Sequence, residues 1–279
     1  MSHDVDHLSL REHLVDAFLP RYVLALLRQN LTRGRFRLGR VLDSFWGLLL
    51  AACGRDRWDV VDDLLAAERR AGVSSTWFVA VRRGLGISYR GAARERLVGR
   101  LRDADQEIGL HGQSPTDASA LAAEAEQLSR EAGTPIVGLR MHYLRLTRSV
   151  FDGMERAGMR YDSTVMNRSR LEPDQIELPG PRLVRPGLLE IPLHVMDSTL
   201  FSVTGLGLDF DQARDYMRRL AARAADEGKL VTINLHPNTY SHQTPEMRAW
   251  YDALLADVTA RSDVFVSDFR ALLPRIAIA

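Results

Sequence analysis

The sequence has almost no cysteine and almost no lysine. Cys53 is the only cysteine in 279 residues, so no internal disulfide can form, which fits a reducing compartment. Lys229 is the only lysine, and arginine supplies the rest of the positive charge, which leaves a net charge of +1. This balance lacks the basic excess that is typical of proteins binding nucleic acids or anionic membranes. We therefore expect no nucleic-acid partner.

The sequence also lacks a long apolar run. The longest, FWGLLLAAC at 45–53, is well short of the ~20 residues that a membrane-spanning helix needs. The N-terminus shows no charged segment followed by the apolar core of a secretory signal. We expect a cytoplasmic protein without a membrane span and with one domain over 1–279, a length at which α/β barrels are common. The oligomeric state is not predicted by these features.

Short apolar segments alternate with longer amphipathic ones along the chain. Period-2 patterns and β-branched residues predict strands at HDVD near the N-terminus, 74–81, 107–111, 135–142, 159–165, 188–197, 229–237 and 263–269. Helical spacing predicts helices at 10–31, 36–53, 57–71, 91–103, 116–132, 147–157, 209–227, 245–260 and the C-terminus, with a long loop at 166–189. Strands separated by helices indicate parallel βαβ units. About seven units favour a closed or nearly closed (β/α) barrel.

Polar side chains stand where several predicted strands end. Asp4 and Asp6 lie two residues apart, so they share one face of the first strand. Later strands end at His111, at Arg140 and its neighbour His142, and at His236. Because the carboxyl ends of barrel strands form the active-site face, these groups are expected to converge there. Carboxylates and imidazoles together are the donors of a hydrolytic zinc or hard-metal site.

Each of these residues also has a simpler interpretation. A single histidine at a strand end is more often a hydrogen-bonded structural residue than a ligand, which is the interpretation favoured for His7, His13, His194 and His242. Asp4 and Asp6 alone could be solvated acids at a frayed terminus. Only the combination of acids, histidines and an arginine at successive strand ends favours a site.

Five segments, in order, resemble the polysaccharide deacetylase superfamily, the NodB-homology domain. They are HDVDHL, EIGLHG, GLRMHYLR with AGMRYDST, EIPLHVMDSTLF and NLHPN. The pair RMHYLR and AGMRYDST is the most specific, and it is similar to a branch with HDVD and RxHYLR signatures. The resemblance extends from residue 3 to about 269. It implies an α/β fold, a single-domain distorted (β/α)7 barrel of the glycoside hydrolase/deacetylase type.

The resemblance also implies roles for individual residues. Asp4 matches the general base, and Arg140 matches the arginine that holds this base ionised. Tyr143 matches the position whose backbone N–H helps to bind the oxyanion, and His236 matches the histidine that protonates the leaving amine. Asp6 and His111 match two ligands of a divalent metal, expected to be zinc.

The sequence departs from the family pattern at two places. The second histidine of the H-x-x-x-H ligand motif is replaced by Pro115, which cannot bind a metal. Candidates for the third ligand are His142, ranked first because it follows the arginine strand, and then His3, Gln113 and Asp117. In addition, only Met1 and Ser2 precede HDVD, where the family has a full hydrophobic strand. We expect either an abbreviated first strand, which would leave the neighbouring strand edges unpaired and hold Asp4 less rigidly, or a start further upstream.

These features predict a metal-dependent hydrolase that removes an acetyl group from an N-acetylated sugar in a polysaccharide or glycoconjugate precursor. The predicted partner is therefore a carbohydrate substrate. Two alternatives remain. One is a catalytically weak or inactive barrel that binds carbohydrate, and the other is a hydrolase of a different non-peptide C–N bond.

Overall fold

The structure is a computed structural model that describes residues 1–13, 55–166, 172–202, 205–241 and 245–276, together with four isolated positions between 46 and 53. The predicted helices at 10–31 and 36–53 lie almost wholly outside the described residues. At the start of the first, Leu10–His13 form a short 3-10 helix. No helix in the described ranges is long and apolar enough to cross a membrane.

Nine strands form one sheet, which is parallel except at one edge. The strands are β1 (Ser2–Val5), β2 (Thr76–Val79), β3 (Glu107–Gly112), β4 (Gly138–Met141), β5 (Tyr161–Asp162), β6 (Arg182–Arg185), β7 (Leu188–Glu190), β8 (Val195–Met196) and β9 (Ile233–Leu235). Their order is β6-β7-β5-β4-β3-β2-β1-β9-β8, and only β6 and β7 pair antiparallel. The carboxyl ends of the parallel strands therefore lie together.

The segment 188–196 closes this sheet into a barrel. Its first part, β7, pairs with β5, whereas β8 pairs with β9 near the other end of the strand order. Only five residues lead from Glu190 to Val195, a reach of at most about 18 Å. The two ends of the sheet must therefore approach each other, with 188–196 as one bent strand between them. Counting this segment once gives seven parallel strands around the barrel, as predicted.

The helices surround the barrel, and all but the short helix Asp197–Phe201, which was not predicted, follow predicted helices closely. They are α1 (Val61–Ala71), α2 (Gly91–Asp103), α3 (Ala118–Ala132), α4 (Arg148–Arg156), α5 (Asp197–Phe201), α6 (Phe210–Asp226), α7 (Pro245–Thr259) and α8 (Phe269–Leu272). Local chemistry explains several of the ends. A capping box between Asp209 and Gln212 begins α6, and Gly72 in the left-handed conformation ends α1. Their apolar faces pack on the outside of the sheet in the main core.

Two of the predicted elements are wrong. No strand forms at 263–269, although the sequence alternates as a strand would. The backbone there bonds to groups outside any ladder: Ser267 accepts from the amino group of Met1, and Phe269 donates to the hydroxyl of Thr76. The predicted loop at 166–189, in contrast, contains β6, because the Pro186–Gly187 turn folds it back on β7.

The first strand is short, yet it is held on both sides. All four residues of β1 are buried, and they pair with the whole of β2. Ser2 and His3 also pair with β9. The neighbouring strands are therefore bridged by β1, and Asp4 is fixed between them. The expectation that an abbreviated strand leaves its neighbours unpaired is wrong for these residues.

Candidate active site

The predicted site residues come together at one end of the barrel. Asp4 lies in β1, His111 in β3 and Arg140 in β4, while Asp6, His142, Tyr143 and His236 directly follow strands. All are therefore at the carboxyl ends of parallel strands, where the chemistry of such barrels takes place. Within this group the side chains form three sets: an Asp–Arg pair, an Asp–His–His cluster and a His–Asp pair.

Arg140 anchors the first set inside the barrel. Its guanidinium is fully buried, and Nη1 donates to Oδ1 of Asp4 at 2.8 Å. Nη1 also donates to the hydroxyl of Ser2 and to Oδ1 of Asn234. Nε donates to the carbonyl oxygen of Ser163, and Nη2 donates to the hydroxyl of the same residue. The ring of Phe78 lies 4.3 Å from the guanidinium carbon. A buried arginine is tolerated only when its charge is paired and its donors are satisfied, so this network orients Asp4 rigidly.

The second set comprises Asp6, His111 and His142, whose polar atoms nearly touch. His111 Nε2 lies 3.0 Å from His142 Nδ1, and these nitrogens lie 3.2 Å and 3.4 Å from Oδ1 of Asp6. The outer nitrogens face backbone carbonyls: His111 Nδ1 lies 3.0 Å from the oxygen of Arg140, and His142 Nε2 lies 2.8 Å from that of Leu85. A carbonyl can only accept, so each outer nitrogen carries the hydrogen. In the neutral rings, both inner nitrogens then present lone pairs.

This arrangement fits a metal ion. Two nitrogen lone pairs and a carboxylate oxygen repel one another unless a positive charge lies among them. The buried Oδ1 of Asp6 makes no hydrogen bond of favourable geometry within the described part of the chain. Tetrahedral zinc with bonds of about 2.0–2.1 Å places its ligand atoms roughly 3.3 Å apart, close to the spacing seen here. Asp6, His111 and His142 could therefore hold zinc through three protein atoms.

Electrostatics within the cluster also favour a cation. Burial raises the pKa of Asp6, but both imidazoles outweigh this effect and hold it well below its usual range. Burial lowers the pKa of His142, yet the adjacent Asp6 carboxylate outweighs burial and raises it. One proton on His142 would satisfy only one of the close contacts among Asp6, His111 and His142. A divalent ion could instead bond to one atom of each residue.

The other candidates for the third ligand are engaged elsewhere. The side chain of His3 points away from the barrel interior and contacts Glu68 at 2.7 Å and the carbonyl of Leu235. Gln113 donates to the carbonyl of Gly84, and Asp117 caps the first turn of α3. Of the four candidates, His142 is the one that lies within reach of Asp6 and His111. Its role as a ligand stays a prediction.

The third set pairs His236 with Asp197, a residue that the sequence analysis missed. Nδ1 of His236 lies 2.8 Å from Oδ1 of Asp197, whose Oδ2 accepts from the backbone N–H of His236 and from Thr239. Burial lowers the pKa of His236, but Asp197, Asp6 and Asp4 together raise it to about 10. Nε2 of His236 faces Oδ2 of Asp6 at 3.8 Å. Asp197 is the last residue of the predicted strand 188–197, within the quoted segment EIPLHVMDSTLF, so its position at a strand end was a signal available in the sequence.

Tyr143 begins an unusual backbone segment beside the cluster. Tyr143 and Leu144 both have positive φ, 57° and 54°, a conformation that is costly for residues other than glycine and that concentrates at functional sites. The ring of Tyr143 lies 4.0 Å from that of His142, and its hydroxyl donates to the carbonyl of Leu85 at 2.7 Å. Over half of the side chain is exposed. The oxyanion role of its backbone N–H stays a prediction.

A cleft of about 290 Å³ opens beside these groups. Its lining combines the polar groups of the site with the apolar side chains of Phe201 and Met247. Asp6, His7, Asp197 and His236 contribute the titratable groups. His194 lies elsewhere, buried, where Nδ1 accepts from the N–H of Thr232 and Nε2 donates to the carbonyl of Pro179. This bonding agrees with the structural interpretation of His194.

Comparisons with known proteins give a structural match only. No family model matches the chain, and no curated protein sequence matches it. Among solved structures, a Mycobacterium smegmatis protein proposed to be a polysaccharide deacetylase gives a TM-score of 0.66 at 21% identity, covering 99% of this chain and 88% of that one. The 4-alpha-glucanotransferase of Thermococcus litoralis gives 0.53 at 9% identity, covering 79% of this chain and 37% of that one.

A third structure is less similar. A Bordetella bronchiseptica protein, proposed to be a polysaccharide deacetylase in O-antigen biosynthesis, gives a TM-score of 0.43 at 17% identity, covering 72% of this chain and 84% of that one. The first two matches confirm the predicted fold, the distorted (β/α)7 barrel. The HDVD and RxHYLR branch stays a prediction.

Proposed function

We propose that this chain is a metal-dependent deacetylase that removes the acetyl group from an N-acetylated sugar in a polysaccharide or glycoconjugate precursor. The observation that carries the proposal is the cluster of Asp6, His111 and His142, whose inner donor atoms lie 3.0–3.4 Å apart. An acid–arginine pair and a histidine–acid pair flank this cluster at the same barrel end. The fold shared with the Mycobacterium smegmatis protein supports the same reaction class.

The cluster provides a site for zinc, which we propose as the resident ion. When bound, a divalent cation supplies a Lewis acid, which activates water at neutral pH and polarises a carbonyl oxygen. The carbonyl acceptors of both histidines hold the ring orientations that ligation requires. In this proposal His142 takes the place of the missing motif histidine. The presence of Pro115 at the motif position therefore does not imply an inactive protein.

Asp4 is placed to act as the general base. Asp4 and Asp6 are two residues apart, so their side chains point to the same side of the chain. Nη1 of Arg140 donates a hydrogen bond to Oδ1 of Asp4 at 2.8 Å. The buried network around Arg140 prevents the carboxylate from rotating away. Asp4 is therefore a preorganised proton acceptor beside the cluster, and a positioned base of this kind typically contributes about 10²–10⁴-fold to the rate.

His236 is placed to act as the general acid. Asp197 holds its Nδ1–H and stabilises the imidazolium, while Nε2 faces the cleft near Asp6. A protonated Nε2 can give its proton to the amine that leaves when the amide bond breaks. The backbone N–H of Tyr143 would donate to the oxygen that gains negative charge. These residues together supply the base, the acid and the oxyanion donor that amide hydrolysis needs.

Acetate release from purified full-length protein tests the proposal. Protein treated with a chelator and then reloaded with Zn²⁺ or Co²⁺ should release acetate from oligomers of N-acetylglucosamine, and chelator-treated protein should not. Asp4→Asn should lower kcat by about 10²–10⁴-fold, the contribution of a general base. Asp117→Asn is the matched control, because asparagine caps a helix as well as aspartate does.

Two outcomes separate the competing functions, and a third tests the assigned base. Zinc binding with no acetate release, but with hydrolysis of cyclic amides or imides, would indicate a hydrolase of another C–N bond. Sugar binding that is unaffected by the chelator, with no zinc binding by calorimetry, would indicate a non-catalytic carbohydrate-binding barrel. Acetate release that is equal in wild type and Asp4→Asn would refute the assigned base.

A further inference from the structure

A hairpin with a two-residue turn, in the loop after β2, contacts the cluster of Asp6, His111 and His142 through His142. Gly84 and Ile87 exchange both backbone hydrogen bonds, at 2.9 Å and 3.0 Å. The two residues between them, Leu85 and Gly86, have φ values of 55° and 100°. Positive φ at both central positions defines a type I′ turn, in which glycine is favoured and leucine is unusual. The backbone at Leu85 is therefore held in a costly conformation.

The carbonyl of Leu85 is the point where the hairpin meets the cluster. It accepts from Nε2 of His142 at 2.8 Å and from the hydroxyl of Tyr143 at 2.7 Å. The side chain of Leu85 is itself half exposed, so the backbone makes the contact. A second bond, from the side-chain amide of Gln113 to the carbonyl of Gly84 at 3.1 Å, ties the hairpin to the end of β3. The hairpin is thus attached to two of the strands that carry the cluster.

We propose that this hairpin is a positioning element for the metal site: the Leu85 carbonyl fixes the hydrogen of His142 on Nε2 and aims Nδ1 at Asp6 and His111. This inference rests on the proposed function, because it assigns His142 as a ligand. His111 has the equivalent arrangement with the carbonyl of Arg140, but that acceptor belongs to β4 itself. The orientation of His142 depends instead on a loop some 57 residues away along the chain.

Gly86 controls the direction of the Leu85 carbonyl. The central peptide of the turn joins Leu85 to Gly86, and its orientation follows the φ of residue 86. Valine disfavours a φ of 100°, whereas a type I turn needs only negative φ values; type I is the mirror image of type I′ and directs the central carbonyl to the opposite face. A Cβ at this position would also lie 3.3 Å from the hydroxyl of Tyr143. Gly86→Val should therefore remove the acceptor of His142.

Zinc affinity of the full-length chain, measured by calorimetry after chelator treatment, tests the inference. Gly86→Val should weaken zinc binding about 10–100-fold, the usual cost of losing a partner that orients a metal ligand. Gly187→Val is the matched control, since Gly187 also has a positive φ, 75°, but lies in the β6–β7 hairpin. It should bind zinc within about 2-fold of wild type. Equal zinc affinity in Gly86→Val and wild type would overturn the inference.

Leu85→Asn supplies the conservative counterpart. Asn-Gly is the preferred type I′ sequence, so this variant keeps the carbonyl and changes only an exposed side chain. It should retain wild-type zinc affinity, and a loss as large as that in Gly86→Val would show that the leucine side chain, not the carbonyl, is responsible. Asp6→Asn distinguishes a failure of the proposed metal site from a failure of the hairpin inference alone. If Asp6→Asn binds zinc as wild type does, the proposed metal site itself fails; if it loses zinc while Gly86→Val does not, only the hairpin inference fails.

Discussion

Each of the three site histidines has one ring nitrogen that donates to a protein oxygen. The charge of that acceptor determines which chemical role the histidine can take. His111 and His142 donate to neutral backbone carbonyls, which suit a neutral ring with an inward lone pair. His236 donates to the carboxylate of Asp197, which stabilises the charged ring. The pKa of His236 is raised to about 10 by this carboxylate and its acidic neighbours, against the effect of burial. The two proposed ligands and the proposed proton donor thus belong to one residue type and differ in the group that accepts from each ring.

Replacing Asp197 by asparagine should separate the acid role from substrate binding. An amide can still accept from Nδ1–H of His236 but no longer stabilises the imidazolium. We expect kcat to fall by about 10²-fold, the lower end of the general acid contribution, with KM changed by no more than about 3-fold. Steady-state acetate release measures both constants. Asp252→Asn, at an exposed carboxylate on α7 that bonds to Tyr240, is the control. A rise in KM with unchanged kcat would contradict the role of Asp197.

At the scale of elements, the pairing of β5 with β7 brings two carboxyl groups together. Asp162 and Glu190 are register partners and are both fully buried. Oδ2 of Asp162 and Oε2 of Glu190 have no hydrogen-bond partner in the described ranges, and a proton held by the pair would reduce the cost of burying two carboxyl groups side by side. Burial raises the pKa of Glu190 to about 10, and the neighbouring Asp162 adds to the effect. Burial also raises the pKa of Asp162, so the pair holds a proton in the folded chain at pH 7.

This pair should make the folded barrel less stable at alkaline pH. The unfolded chain releases the Glu190 proton above its usual pKa of 4.5, whereas the folded chain keeps it until about pH 10. The stabilisation is therefore complete below pH 4.5 and decreases as the pH rises toward 10, by up to about 1.4 kcal/mol per pH unit.

Glu190→Gln removes the titrating proton but keeps the bonds. The amide oxygen can accept from the N–H of Val165, as Oε1 of Glu190 does, and the amide nitrogen can donate to Asp162. Urea unfolding at pH 6 and pH 9 should show a smaller loss of unfolding free energy for Glu190→Gln than for wild type. Glu126→Gln, on the exposed face of α3, should behave as wild type. Identical pH dependence in Glu190→Gln and wild type would show that this pair does not titrate as described.

At the scale of the whole molecule, the proposed metal site connects strands that are distant in the sequence. Asp6 follows β1, His111 lies in β3 and His142 follows β4, so an unfolded chain does not hold the three donors together. Zinc should therefore bind the folded barrel selectively and stabilise it. At a free zinc concentration 100 times the Kd, the expected gain is about 2.7 kcal/mol.

Thermal unfolding checks this coupling. Zinc at that concentration should raise the Tm of chelator-treated protein by roughly 5–10 °C, given the usual relation between free energy and Tm for chains of about this size. Asp6→Asn should lose most of the shift, and Asp117→Asn should keep it. A Tm that zinc does not change in wild type would mean that the cluster does not bind the ion in the folded state.

Local patterns accounted for most of the elements. Helix α6, predicted at 209–227, forms at Phe210–Asp226 because an amphipathic face coincides with a capping box at its start. The alternating apolar and polar residues at 263–269 failed to predict a strand because no neighbouring strand in the described part of the chain pairs with this segment. Its backbone bonds instead to the N-terminal amino group and to a threonine side chain. Helical hydrogen bonds are local, whereas a strand depends on a neighbouring strand that can be distant in the sequence.

The sequence by itself determined the α/β alternation, the barrel and the strand ends that carry Asp4, Asp6, His111, Arg140 and His236. These follow from periodicities of two and 3.6 residues and from motifs within short segments. Only the tertiary structure decided that His142, and not His3, Gln113 or Asp117, meets Asp6 and His111, that Asp197 holds His236, and that Leu85 holds His142. Spacing along a strand says which side chains share a face, but it cannot say which faces of distant elements meet. Closure of the barrel by the segment 188–196 is what makes them meet.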